Sequence, residues 1–185
     1  MFPSHDRAGE DVPCPTHVQT IRTDTEEPLG VVSKNYGIVQ NKEAFGFSEV
    51  LVGGNKASYV YAGSIDNGAQ SFIVMKTPAH ILGVTGDPEV ECYFLTTTTH
   101  NGSQRLQSFL TPYVPSSGTV LFTGSKPISF KHTKNVNNRI VAAHKTLEGI
   151  SEFWKDFTEH YKQMAASTLT DENAMQLIKM LLGGS

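Results

Sequence analysis

The stretch EVECYFLTTTTHNGSQRLQSFLTPY, residues 89–113, decides the fold. Both halves are rich in β-branched and aromatic residues, which suit a pleated surface. Between them stands Asn101-Gly102, a pair that favours a tight hairpin because both central residues must reach positive φ. The reading is a strand over residues 89–99, a two-residue turn and a returning strand. That turn would set His100 against Ser103, Thr98 against Arg105 and Thr96 against Gln107. Apolar residues of the first strand fall on both parities, Val90, Cys92 and Phe94 against Tyr93 and Leu95. Both faces near its start are therefore expected to be covered.

The same hairpin end admits a catalytic reading, a hydrolase with His100 as general base and Ser103 as nucleophile. No carboxylate lies nearby in sequence to orient the imidazole. The glycine-flanked strand-to-helix elbow of a serine nucleophile is also missing. Turn chemistry accounts for these residues, so an enzyme ranks last and no catalytic residue is assigned.

Outward from the hairpin, ASYVYAGSIDNGAQSFIVMKTP reads as a second one, turning at Asp66-Asn67-Gly68 and closed by Pro78, which cannot feed a ladder. GTVLFTG and PISFKHT supply two more strands. PLGVVSKNYGIVQ gives short β runs around a turn at Ser33-Lys34-Asn35. Asn41 is a candidate N-cap for a short helix carrying Ala44, Phe47 and Leu51 on one side.

The period then changes. Val136, Ile140, Ala143, Leu147, Ile150, Trp154, Phe157, Tyr161 and Met164 recur at alternating spacings of four and three. That heptad pattern predicts one long helix with a continuous seam. The seam would lie along its own sheet or, through Val136, Ile140, Leu147, Trp154, Phe157 and Tyr161, against a second copy of the chain. Thr170, Asp171 and Glu172 open a C-terminal helix that Gly183-Gly184 ends. Residues 1–20 are rich in Pro, Asp and His, lack periodicity and read as a flexible tail. The expected fold class is α+β: a curved, mainly antiparallel sheet packed on one long helix, in a single domain over 21–185.

Composition fits a globular domain: 185 residues, 38% hydrophobic, 18% charged. Cys14 and Cys92 make neither a disulfide framework nor a zinc site, and two free thiols suit a cytoplasmic setting. The histidines are scattered and none forms the i, i+4 pair of a zinc helix, so no metal is expected. No phosphate-loop spacing occurs, and no cofactor is expected. No apolar run is long enough to cross a bilayer.

Net charge is −3, but it is unevenly spread. Residues 1–27 hold Asp6, Glu10, Asp11, Asp24, Glu26 and Glu27 against Arg7 and Arg22. From Cys92 to Leu147 there is no Asp or Glu. That segment carries Arg105, Lys126, Lys131, His132, Lys134, Arg139 and Lys145. These are the candidate contacts for an anionic partner, with Tyr113 and Phe130 as stacking faces. FKHTKNVNNRI is the sharpest part, since Thr133 or Asn135 would cap a helix whose positive end is dressed with cations. The plain alternative is an ordinary capped helix with solvated basic groups.

In order along the chain, TDTEEPLGVVSKNYGIVQNKEAF, AGSIDNGAQSFIVMKTP, LTTTTHNGSQRLQSFLTP, FKHTKN and STLTDENAMQLI resemble the phage/plasmid-like protein family, the domain of unknown function 932. The likeness runs from Arg22 to Leu182. It implies a setting in phages, plasmids and other mobile elements rather than a reaction. Two departures stand out. Asn101 occupies a place where family members tend to carry aspartate, and Tyr113, Ser116 and Gly118 replace an Arg-x-x-Cys-x-Asn run. Chemistry resting on those family residues would be lost here. The usual members are longer on both sides, which implies a shortened form.

Three functions follow as expectations. The first is a non-enzymatic module that binds or anneals single-stranded DNA through a basic groove, by likeness to phage annealing proteins. The second is an oligomerising scaffold built on the heptad seam. The third is the His100 hydrolase.

Overall fold

Strand alternation organises the molecule. In strand β7 (Val90–Thr99) buried residues fall at every second position as far as Thr96, after which Thr97, Thr98 and Thr99 are buried too; in strand β8 (Leu106–Val114) Leu106, Ser108, Pro112 and Val114 are the buried ones. The structure, a computed structural model, describes residues 4–5, 11–12, 14–46, 49–81, 89–121, 128–133, 136, 150–168 and 170–182. In chain order the other strands are β1 (Ser4–His5), β2 (Asp11–Val12), β3 (His17–Ile21), β4 (Pro28–Ser33), β5 (Ser58–Ile65), β6 (Gln70–Ile81), β9 (Thr119–Val120) and β10 (Ile128–Phe130). The helices are α1 (Asn41–Gly46), α2 (Glu49–Gly53), α3 (Ile150–Ala165) and α4 (Asp171–Leu182).

The main sheet is open and antiparallel, in the order β10-β8-β7-β6-β5, with β9 also paired to β8. Strands β3 and β4 form a separate hairpin, as do β1 and β2. The α+β class and the antiparallel sheet agree with the expectation from sequence. Strand β3 takes in residues 17–20, which the lack of periodicity had assigned to the tail. Pairing with β4 holds it, Val18 opposite Val32. Thr20 Oγ1 donates to the carbonyl of His100 at 2.7 Å, with the Gly30 carbonyl at 3.1 Å.

The β7–β8 hairpin exists, but its register is one residue off the expected one. Thr96 faces Ser108 and Thr97 faces Gln107. Asn101 Oδ1 accepts from the Ser103 amide at 2.9 Å, an Asx turn that widens the loop. Thr99 Oγ1 accepts from the Gln104 amide and donates to the Gln104 carbonyl. The loop therefore spans residues 100–105, and Gly102 takes the positive φ of 77°. It is pressed against β4: a Cβ on Gly30 would lie 2.6 Å from Asn101 Cβ, which real contacts do not allow. The slip also explains the threonine run, since Thr96 Oγ1 and Ser108 Oγ meet at 2.9 Å in the interior.

The β5–β6 hairpin forms around Asp66, Asn67 and Gly68, all at positive φ. Strand β6 continues past Pro78, where closure was expected. Proline is tolerated because it falls where the ladder to β7 is interrupted, between Lys76 and His80.

One face of the sheet carries the core. Val90, Cys92, Phe94, Met75, Leu106, Val114 and Phe130 are buried there with Val39, Ala44, Ala57, Val136 and Trp154 from outside the sheet. One long helix from 136 onward is not confirmed: the described helix there is α3, 16 residues over Ile150–Ala165, while Val136 is helical and buried and 137–149 lie outside the described residues. Trp154 is 2% exposed, and Phe157 and Tyr161 pack on the same core. Trp154, Phe157 and Tyr161 are thus engaged by the chain's own core, which gives no support for a partner through them, whereas Met164 is exposed; Ile140 and Leu147 lie outside the described residues. Thr170 caps α4 as expected, its Oγ1 accepting from the Asn173 amide at 3.2 Å.

His132 ties the hairpin of β4 to the sheet. Its ring stacks on Tyr36 with centroids 4.8 Å apart, its Nδ1 lies 3.3 Å from the Gly37 carbonyl, and Tyr36 bridges to Thr133. Tyr36 in turn donates its hydroxyl to the Thr99 carbonyl at 2.7 Å. Burial lowers the pKa of His132, and also that of His100.

Two outcomes test this packing. Phe94 is 1% exposed at the centre of the sheet, so Phe94→Ala is expected to cost about 3–5 kcal/mol in urea unfolding. A loss below about 1 kcal/mol would contradict the central packing. His132 stays neutral in the fold while the unfolded chain takes up a proton below the ordinary value of 6.5. Its contribution is complete above that pH and declines below it. The urea midpoint is expected to fall as the pH drops from about 6.5 to 5.5, and to fall less in His132→Gln. An equal fall in both would refute the assignment.

Candidate functional site

Alternation gives the sheet a second face, turned away from the core. The registers of β5 to β8 align its residues in rows: Tyr61, Val74, Leu95 and Phe109; then Lys76, Tyr93 and Thr111; then Glu91 and Tyr113. Phe72, Thr97, Gln107 and Ser129 form a fourth row beside the first. Tyr61 is 62% exposed, and Phe72, Tyr93, Phe109 and Tyr113 are half-buried. Such partial exposure is what rings show when they lie side by side on a sheet. Tyr61 and Phe72 are 5.8 Å apart, and Tyr93 and Tyr113 meet edge to face at 6.0 Å.

The charges on this face are unequal from end to end. Around Tyr93 they cancel. Lys76 Nζ lies 2.5 Å from Glu91 Oε1, and the Tyr93 hydroxyl donates to Glu91 Oε2 at 2.6 Å. That bond to a carboxylate pushes the Tyr93 phenol up to about 12. At the other end stand Arg105 and Lys131. Leu106 pairs with Phe130, so the next step along each strand brings Arg105 and Lys131 to matching positions. Leu106 and Phe130 point into the core, and Arg105 and Lys131 follow them just beyond the ends of the two strands. Both are exposed, and neither forms an ion pair among the described residues.

The sequence-derived contacts divide accordingly. Tyr113 lies on this face, and Arg105 and Lys131 are exposed just beyond the paired Leu106 and Phe130. His132 does not serve as a cation, because it is a buried ring, 8% exposed, stacked on Tyr36 and held neutral by burial. Phe130, also 8% exposed, is packed in the core and offers no stacking surface. Lys126, Lys134, Arg139 and Lys145 lie outside the described residues. Tyr61, Phe72, Tyr93 and Phe109 were missed; period-2 alternation through the two hairpins is the signal that would have found them.

The ring Nε2 of His100, the candidate general base, meets an amide and no carboxylate. The Ser103 amide is engaged by Asn101, and the imidazole Nε2 lies 2.8 Å from Asn41 Oδ1, an amide rather than a carboxylate. The His100 amide donates to the Ala69 carbonyl at 2.7 Å, so the backbone here is part of the framework. Among the described residues, no group of three or more His, Cys, Asp or Glu side chains could hold a metal, and no helix is long and apolar enough to cross a membrane.

No curated protein and no solved structure matches the chain. A family model does match, over residues 28–184, from β4 through α4 and therefore across the whole sheet. With most of its length covered, the chain belongs to the family described as Domain of unknown function (DUF932).

Proposed function

We propose that the chain binds single-stranded nucleic acid across the outward face of its sheet. The observation that supports this reading is the line of rings Phe109, Tyr93 and Tyr113 on one side of the strands, with exposed Arg105 and Lys131 just past the paired Leu106 and Phe130 at one end. Unpaired bases expose apolar π-faces that stack on aromatic side chains, worth about 1–3 kcal/mol per base, while cations neutralise the backbone. Duplex DNA keeps its bases stacked on one another and cannot use such rings. The Lys76–Glu91 pair leaves the far end of the face neutral, so attraction concentrates near Arg105. A strand would be captured there by its phosphates and laid along β8 by stacking. Recognition of this type is tolerant of sequence, as an annealing activity on a phage or plasmid requires.

Anisotropy of a labelled oligo(dT) of about 15 nucleotides tests the reading. Two neutralised phosphates give a log–log salt slope of about −1.4. Arg105→Ser with Lys131→Ser is expected to flatten that slope, and Phe109→Ala to weaken binding about tenfold without changing it. Absence of binding at about 50 mM salt, or an unchanged slope in the double variant, would sink the proposal.

A further inference from the structure

Between the β3–β4 hairpin, the chain entering α1 and the ends of β5 and β6 lies a cleft of about 420 Å³. Ser64 and Ser71 line it, and these alternate with the outward residues of β5 and β6. The cleft is thus on the opposite side of the sheet from Tyr61 and Phe72, and it owes nothing to the sheet-face reading. Its volume is that of a small-molecule site.

The lining is built for a neutral, hydrogen-bonding ligand. Its charges are spent on each other: Arg22 grips Asp24 through Nε–Oδ1 at 3.0 Å and Nη2–Oδ2 at 2.6 Å. His100 is uncharged at neutral pH because burial lowers its pKa. A charged ligand would lose its water and meet no counter-charge. Polar groups nonetheless converge. With Nε2–H donating to Asn41 Oδ1, His100 keeps Nδ1 as an acceptor and Asn41 keeps its amide N–H groups as donors. Neither these groups nor Ser71 Oγ have a hydrogen-bond partner among the described residues. Beside Ser71 in the sheet, Thr98 is wholly buried with Oγ1 unpartnered, a further unmet group next to the floor. Around this polar floor the lining turns apolar, with Ile21, Leu29 and Ile38. Ile21 and Ile38 are exposed although large and hydrophobic.

A polar edge with apolar faces and no charge describes a nucleobase. Side-chain amides match base edges, as Asn and Gln do for adenine, and Gln19, Gln40 and Asn41 all line the cleft. We propose that this cleft holds a nucleobase, with Ser71, Asn41 and His100 reading its edge and Ile21 and Ile38 covering its ring.

The test is an amide NMR titration of the full chain with adenosine, guanosine, cytidine and thymidine, alongside glucose and adenosine monophosphate. At least one nucleoside is expected to shift Ser71, Asn41 and His100 saturably. Ser71→Ala should weaken that binding about three- to tenfold, the loss of one hydrogen bond. Ile38→Ala, at an exposed position that leaves folding intact, should weaken it as well. Adenosine monophosphate should bind no more tightly than adenosine, and Arg105→Ser should leave nucleoside binding unchanged. That last arm separates this site from the sheet face. No nucleoside-dependent shift at these residues, an equal response to glucose, a tenfold gain from the phosphate, or indifference to both cleft variants would overturn the proposal.

Discussion

The register of β7 against β8 is the constraint on which the rest depends. Because side chains alternate with a period of two, a slip of one residue would exchange the faces of a strand. With Thr96 opposite Ser108, the apolar set Val90, Cys92 and Phe94 meets Leu110 and Pro112 on the core side. The same register sends Gln107, Phe109 and Tyr113 outward together. Core and candidate interface are therefore two consequences of one pairing. The pairing is held at its open end by the Asn101 turn, the Thr99–Gln104 bonds and the close seat of Gly30 on Asn101.

Outside the main sheet, the β3–β4 hairpin acts as a clasp. It reaches the β7–β8 loop through Thr20 and Tyr36, and β10 through the Tyr36–His132 stack. This clasp covers the loop end of the sheet and forms one wall of the cleft around His100. The histidine that invites a catalytic reading thus has a positional role: its carbonyl receives Thr20, its amide meets Ala69, and its ring is oriented by Asn41.

Much of this was legible in the sequence, and the failures have physical causes. The Asn-Gly turns, the antiparallel hairpins and the Thr170 cap rest on local chemistry, and local chemistry can be read residue by residue. The register could not, because Asn101 uses its side chain to lengthen the loop instead of serving as one of two turn residues. Strand β3 carries only two aliphatic residues, Val18 and Ile21, and is held by contacts to the His100 loop eighty positions away. Phe130 and His132 looked like surface groups among cations. In fact Phe130, the last residue of β10, and His132 beyond it are buried, and Lys131 alone of the three is exposed. A basic run in sequence thus mixed one outward cation with two interior rings.

The central claim is that one face of this sheet, fixed by the Thr96–Ser108 register, receives an unpaired polynucleotide. Ultraviolet cross-linking of the chain to single-stranded DNA, with adducts mapped by mass spectrometry, reads that face directly. The account predicts adducts on Tyr93, Phe109 and Tyr113, on the outward side of β7 and β8. Adducts confined to α3 or α4, or none from DNA that is demonstrably bound, would contradict it.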